Sequence, residues 1–97
     1  MSARSLLVKS LPCIACEMDG FPQQSPTEEH HLNQFGLAGK KRLGDDYSIP
    51  LCAGHHRGIL PLPKGPSLAR SSRLFRMTYG NDDVLLAITN DKLKAVA

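Results

Sequence analysis

Two short motifs set the strongest constraint on how this chain folds. Cys13 and Cys16 stand in the spacing C-x-x-C, and Cys52 and His55 repeat that spacing as C-x-x-H. Each pair can chelate one ion from a single turn, and together they form a Cys3His set suited to structural zinc. The 35 residues between the motifs would form a long loop tied at its base. A metal stabilises such a loop strongly, because its binding free energy becomes folding free energy.

The small size of the chain makes a stabilising metal useful. Its 97 residues fit one domain and include three phenylalanines, two tyrosines and no tryptophan to fill a core. The start lacks the apolar run of a secretory signal, and no stretch approaches the roughly 20 apolar residues that span a bilayer. We therefore expect a cytoplasmic protein with no membrane partner. In that reducing compartment, metal binding is the leading use for cysteines.

Short strands and helices are expected around the two motifs. Glycine and proline break the chain often, so long elements are excluded before the C-terminal third. The expected class is α+β, with a zinc-stapled core at about 11–60 and a helical segment at about 67–96. The predicted elements are a strand or arm at 1–11, strands within SPTEEHHL and YSIPL, one or two helical turns in CAGHHRGIL stopped by Pro61 and Pro63, and two helices in 67–80 and 81–96.

Positive charge is concentrated in the middle and later parts of the chain. From Lys40 to Arg76 there are eight basic residues against two acidic ones, Asp45 and Asp46. This distribution suits a polyanionic partner, although a solvated basic face without a partner fits the charge alone equally well.

The histidines are confined to two adjacent pairs, His30 with His31 and His55 with His56. If His55 completes the zinc set, the side chain of His56 must point away from that zinc. On a strand, His30 and His31 point to opposite faces. A second, open metal site could therefore use His30 and His56 as ligands and leave His31 free.

The order of these motifs resembles a known family. C-x-x-C, then HH, then C-x-x-H-H resembles the HNH (ββα-metal) endonucleases with a zinc-binding frame. The string HHLNQFGLAGKKRLGDDYSIPLCAGHHRG is similar to the phage subgroup of recombination-enhancement nucleases, with the match covering about residues 13–58. The resemblance implies a ββα-metal core and hydrolysis of DNA to 5′-phosphate and 3′-hydroxyl ends. It also implies a bacterial host cytosol and a recombinase or other DNA-processing partner. The sequence leaves open whether the chain is a monomer or a homodimer.

The resemblance assigns different work to neighbouring histidines. His30 and His56 become ligands of a catalytic Mg²⁺ or Mn²⁺, and His31 becomes the general base. Cys13, Cys16, Cys52 and His55 become the structural zinc set.

Further roles are expected outside the histidines. Arg57 would touch the phosphate, and the family's central asparagine has no clear counterpart, so Asp45 or Asp46 is assigned to its region. The catalytic helix is expected to end before Pro61, so it is shorter than in many relatives. The residues expected to grip the DNA backbone are Lys40, Lys41 and Arg42.

Two other functions remain open at this point. A zinc-stabilised DNA- or protein-binding adaptor would bind one zinc and bind DNA in a salt-dependent manner, without cleavage. A redox or metal sensor would lose zinc reversibly on oxidation, but it leaves the paired histidines unexplained.

Overall fold

The protein has an α+β architecture built on a small antiparallel sheet. The computed structural model describes residues 3–32, 47–63 and 65–96. No helix in these ranges is long and apolar enough to cross a membrane. The described elements are α1 (Ala3–Ser10), α2 (Ile14–Asp19), β1 (Thr27–His31), β2 (Ser48–Cys52), α3 (Ala53–Arg57), α4 (Ser72–Tyr79) and α5 (Asp82–Val96).

The two strands confirm the predictions for SPTEEHHL and YSIPL. They pair antiparallel, with Thr27 opposite Cys52 and His31 opposite Ser48. β2 is buried along its whole length, whereas every residue of β1 is partly exposed. β2 therefore lies in the core, whereas β1 carries side chains that reach both solvent and neighbouring elements.

The C-terminal helices confirm the prediction that their apolar residues form the core. Phe75 and Tyr79, one turn apart on α4, are 1% and 5% exposed, and Leu85 of α5 is 1% exposed. α4 begins at Ser72 rather than near residue 67. A turn occupies the intervening segment, in which the Ser71 N–H donates to the Ser67 carbonyl oxygen at 2.9 Å.

The prediction of a strand or arm at residues 1–11 is wrong, because residues 3–10 form α1. The side chains of Ser5 and Val8 are fully covered and Leu11 is nearly so, and this spacing of three places them on one helical face. That face packs against the sheet and α5. Because the apolar residues of this segment are adjacent in the sequence, their helical spacing is not visible there. A helix this short is stabilised by tertiary packing.

The helix after Cys52 is confirmed, but its end is not set by the prolines. α3 ends at Arg57, and Gly58 takes the left-handed conformation with φ of 68° while its N–H donates to the Gly54 carbonyl oxygen. A β-carbon at Gly58 would also lie 2.7 Å from the side chain of Arg70. Glycine is therefore required at this position, and the helix stops there, three residues before Pro61.

Candidate functional site

The C-x-x-C and C-x-x-H motifs identified in the sequence meet at one point in the core. Cys13 and Cys52 each precede a short helix, and each sulfur accepts the backbone N–H three residues later at 3.5 Å. The four potential ligand atoms of the Cys3His set lie within 4.8 Å of one another, and all four residues are buried. No disulfide joins them.

The spacing of these atoms matches a tetrahedral zinc site. The His55 Nδ1 lies 3.4 to 3.5 Å from all three sulfurs, and the Cys16 and Cys52 sulfurs are 3.8 Å apart. Zinc–sulfur bonds of about 2.3 Å and zinc–nitrogen bonds of about 2.0 Å in a tetrahedron give S···S of about 3.8 Å and S···N of about 3.5 Å. The cluster therefore has the donor set of a closed zinc site, and these four separations agree with its dimensions.

Without a cation, burial keeps Cys13 and Cys16 of the cluster protonated. Burial raises the pKa of the Cys13 and Cys16 thiols, and the neighbouring sulfurs raise that of Cys16 further. Burial lowers the pKa of His55, so its imidazole is neutral and can coordinate through Nδ1. A divalent ion among the sulfurs would supply the positive charge that buried thiolates need, because a coordinating thiol is deprotonated by the metal.

Two residues behind His55 hold its ring in place. Its Nε2 lies 3.2 Å from the Tyr79 hydroxyl and 3.4 Å from the Asp19 carboxylate. Tyr79 in turn donates to Asp19 at 2.8 Å. These contacts place the proton on Nε2 and leave Nδ1 directed at the sulfurs, as in the carboxylate–histidine–zinc arrangement.

Removing the carboxylate behind His55 should weaken zinc binding. We expect Asp19→Asn to lower zinc affinity by about 10- to 100-fold, since partners of this kind orient the ligand and raise its basicity. Competition with a chromophoric chelator measures the change. Asp83→Asn is the matched control, because Asp83 is an exposed residue on α5. Equal affinities for the two variants would contradict this role for Asp19.

Three side chains from β1 and α3 form a second cluster on one face of β1. His30 Nδ1 lies 3.2 Å from His56 Nε2, with the ring centroids 4.9 Å apart. On the other side of its ring, His56 Nδ1 lies 2.9 Å from the Glu28 carboxylate. His30 and Glu28 are two residues apart, so they share a strand face. The structure thus brings together the two histidines expected to share a metal.

Arg57 is held by the same carboxylate. Its Nε and Nη2 donate to the two oxygens of Glu28 at 3.1 and 2.6 Å, the fork geometry that arginine forms with carboxylates. Burial alone would raise the pKa of Glu28, but the hydrogen bonds from Arg57 and His56 lower it below its ordinary value. Glu28 is therefore ionised at neutral pH and links both residues to β1.

His31 lies on the opposite face of β1, as expected for a strand. Its Nε2 is 3.7 Å from the Glu29 carboxylate, and its side chain is 23% exposed. Glu29 also accepts a hydrogen bond from the Ser5 hydroxyl of α1 at 2.9 Å. The strand thus separates His31 from the His30–His56 pair by the alternation of its side chains.

Some of the residues expected to act lie outside the described ranges. Other residues of the site were not predicted from the sequence. The sequence offers one sign of Glu28, its position two residues before His30. Asp19 and Tyr79 are 60 residues apart in the chain and carry no local signal. The expected residues that fall outside the described ranges are Lys40, Lys41, Arg42, Asp45 and Asp46.

Comparison with known proteins identifies the family. A family model described as recombination enhancement, RecA-dependent nuclease matches residues 2–94, which is nearly the whole chain. No curated protein and no solved structure matches this chain. The family description indicates a nuclease that acts on DNA, with RecA as the protein on which it depends. This chain belongs to the family of recombination-enhancement, RecA-dependent nucleases.

Proposed function

We propose that the chain is a single metal-dependent HNH-type nuclease domain, residues 1–97, that hydrolyses DNA phosphodiester bonds together with RecA. The observation that carries the proposal is the 3.2 Å approach of His30 Nδ1 to His56 Nε2. The two residues come from β1 and α3, and β2 leads directly into α3. This strand–strand–helix order, with histidines facing each other across it, supports the ββα-metal interpretation.

The spacing of the two nitrogens fits a divalent ion. Adjacent ligands about 2.1 Å from one ion at a right angle are about 3 Å apart, close to the spacing of the two nitrogens. Glu28 fixes the ring of His56 through Nδ1, which leaves Nε2 available for coordination. Mg²⁺ or Mn²⁺ held by His30 and His56 would supply Lewis-acid polarisation of the phosphate and the leaving oxygen.

His31 is the proposed general base. This role requires the scissile phosphate to lie at the end of β1, because His31 and the His30–His56 pair face opposite sides of that strand and His31 is its last residue. It takes a proton from a water whose oxygen attacks phosphorus, while the bond from phosphorus to the 3′ oxygen breaks and that oxygen takes a proton from solvent. The ends are then a 5′-phosphate and a 3′-hydroxyl. A neutral imidazole is a competent base for this step near neutral pH.

Basic residues are proposed to hold the DNA. The guanidinium of Arg57 is linked to the histidine pair, since it shares Glu28 with His56. A DNA phosphate has the same bidentate geometry as that carboxylate, so it can replace Glu28 as the partner of Arg57. Lys40, Lys41 and Arg42 are proposed to contact the backbone, with Asp45 or Asp46 in the place of the central asparagine.

Plasmid cleavage in the presence of RecA tests the proposal. We expect zinc-loaded protein to cut DNA only after Mg²⁺ or Mn²⁺ is added. His30→Ala and His56→Ala should each lower the rate by at least about 100-fold, because each removes a ligand of the ion. Omitting the added ion, rather than chelating it, leaves the structural zinc in place.

Two outcomes would argue against this function. Cutting at the wild-type rate by the His30→Ala/His56→Ala double variant would show that the pair does not hold the ion. DNA binding that weakens with salt, without cutting under any of these conditions, would favour the zinc-stabilised adaptor.

A further inference from the structure

A stretch of the chain without acidic residues contains both α3 and α4. Residues 47–81 include no aspartate or glutamate, and their five basic residues are Arg57, Lys64, Arg70, Arg73 and Arg76. Arg57 binds Glu28, and Arg76 Nε donates to Asp82 at 3.3 Å. Arg70 and Arg73 are exposed, and neither forms an ion pair with a residue that the structure describes. Their charges are therefore not balanced by these parts of the chain.

Arg70 lies against the end of α3. Its Nε donates to the carbonyl oxygen of Gly58 at 2.7 Å, and the Leu68 N–H donates to the carbonyl oxygen of His55 at 2.7 Å. Gly58 directly follows the last residue of α3. These two hydrogen bonds hold the segment before α4 beside the helix that carries His56, so a positive group is fixed next to the candidate site.

The guanidinium of Arg70 has donors to spare. Arginine has five N–H donors, and the bond to Gly58 uses one of them. Within the described ranges, the other four form no hydrogen bond. Ser71, the next residue, precedes α4 but its side chain makes no capping hydrogen bond. Arg70 and Ser71 line the same shallow depression, and guanidinium and hydroxyl groups are those that contact phosphate oxygens.

Arg73 extends this positive surface onto α4. It lies in the first turn of the helix, where the helix dipole disfavours a cation and no acidic residue is present. Its position therefore does not help to stabilise α4. Three residues of chain separate its Cα from that of Arg70 by at most about 11 Å. That distance covers about three phosphates of one DNA strand, at about 3.4 Å of helix axis for each.

We propose that Arg70, Ser71 and Arg73 bind the phosphate backbone of DNA at a point outside the cleaved bond. This inference rests on the proposed function in taking DNA as the ligand. A strand that reaches the His30–His56 pair then continues past the end of α3 to this surface. The contacts are to phosphates alone, so they hold DNA of any sequence.

The salt dependence of DNA binding tests the proposal. Zinc-loaded protein is titrated onto a fluorescently labelled duplex without Mg²⁺ or Mn²⁺, so that no strand is cut. Each phosphate contact contributes about 0.9 to the slope of log K against log salt. We expect Arg70→Gln and Arg73→Gln each to reduce the slope by about 0.9 and to weaken binding about 5- to 10-fold at about 0.1 M salt.

Lys94→Gln is the matched control, because it removes the same charge from an exposed residue of α5 and should keep the wild-type slope. Melting temperature and zinc content show whether each variant is folded. Arg70→Gln removes the bond to Gly58, whereas Arg73→Gln removes no contact with the described residues. Arg73→Gln should melt at or slightly above the wild-type temperature, since it takes a cation out of the first turn of α4.

Wild-type slopes in both arginine variants would overturn the proposal. If these variants also bound RecA more weakly, the surface would belong to RecA instead of DNA. A lower melting temperature of Arg70→Gln with an unchanged slope would assign Arg70 a structural role only.

Cleavage of plasmid DNA with RecA and Mn²⁺ separates this inference from the proposed function. We expect both arginine variants to raise KM for DNA and to keep kcat, because they remove binding that is equal in the ground and transition states. If the variants lose slope but no protein cuts, the surface stands and the nuclease mechanism fails. If the wild type cuts and both variants bind and cut like Lys94→Gln, the surface fails and the nuclease stands.

Discussion

Replacing His31 with alanine should lower the rate of DNA cleavage by about 100- to 10,000-fold, the contribution typical of a general base. The fold should survive, because the side chain is partly exposed on β1 and belongs to neither buried core cluster. Cleavage of plasmid DNA with RecA and Mn²⁺ measures the rate. Circular dichroism and zinc content, compared with the wild type, measure folding.

His31→Gln is the matched control for this experiment. Glutamine keeps a polar side chain of similar length, but it cannot take a proton from water near neutral pH. We expect the same loss of cleavage as for alanine. If glutamine supported cutting at the wild-type rate, or if the alanine variant melted with loss of zinc, then His31 would not act as the base.

Loss of His55 from the candidate zinc site should unfold the protein. The four ligands lie in the centre of the core, and Cys13, Cys16 and Cys52 all belong to its main cluster. Structural zinc contributes about 10–16 kcal/mol of binding free energy in small zinc domains, whereas the net stability of a domain is about 5–15 kcal/mol. His55→Ala should therefore lack both bound zinc and a cooperative melting transition.

His56→Ala provides the control for His55→Ala in the adjacent residue. His55 is fully buried, whereas the side chain of His56 is 24% exposed and contacts His30 and Glu28. We expect the His56 variant to keep one zinc per chain and to melt cooperatively, although it no longer cuts DNA. Zinc retention and a wild-type melting temperature in His55→Ala would contradict the assignment of the Cys3His cluster as a structural zinc site.

The elements around the zinc motifs are the part of the fold that is most visible in the sequence. C-x-x-C and C-x-x-H specify local turns, and any single ion that binds both must bring them together. β1 and β2 are likewise marked by short runs between turn residues. α1 is hidden, because its helical spacing is visible only once the partner surface that covers Ser5 and Val8 is known.

The candidate site likewise combines residues that neighbour each other in the sequence with contacts that only the folded structure reveals. The doublet on β1 indicates that its two side chains point in different directions, since neighbours on a strand face opposite ways, whereas His55 and His56 diverge on the helix α3. The carboxylates are harder to assign from sequence. Glu28 and Glu29 are adjacent and chemically equivalent, and only packing shows that one meets His56 and Arg57 while the other meets Ser5 and His31.

The two-sided use of β1 limits which insertions the chain tolerates. Glu28 and His30 alternate with Glu29 and His31, and the pairing of β1 with β2 sets which pair faces α3. One residue added between Glu29 and His30 would place His31, rather than His30, on the face of the strand that carries Glu28. Two added residues would restore the original parity. Length changes within β1 should therefore be accepted in even numbers only, so an alignment of relatives should preserve parity there as well as the two histidines.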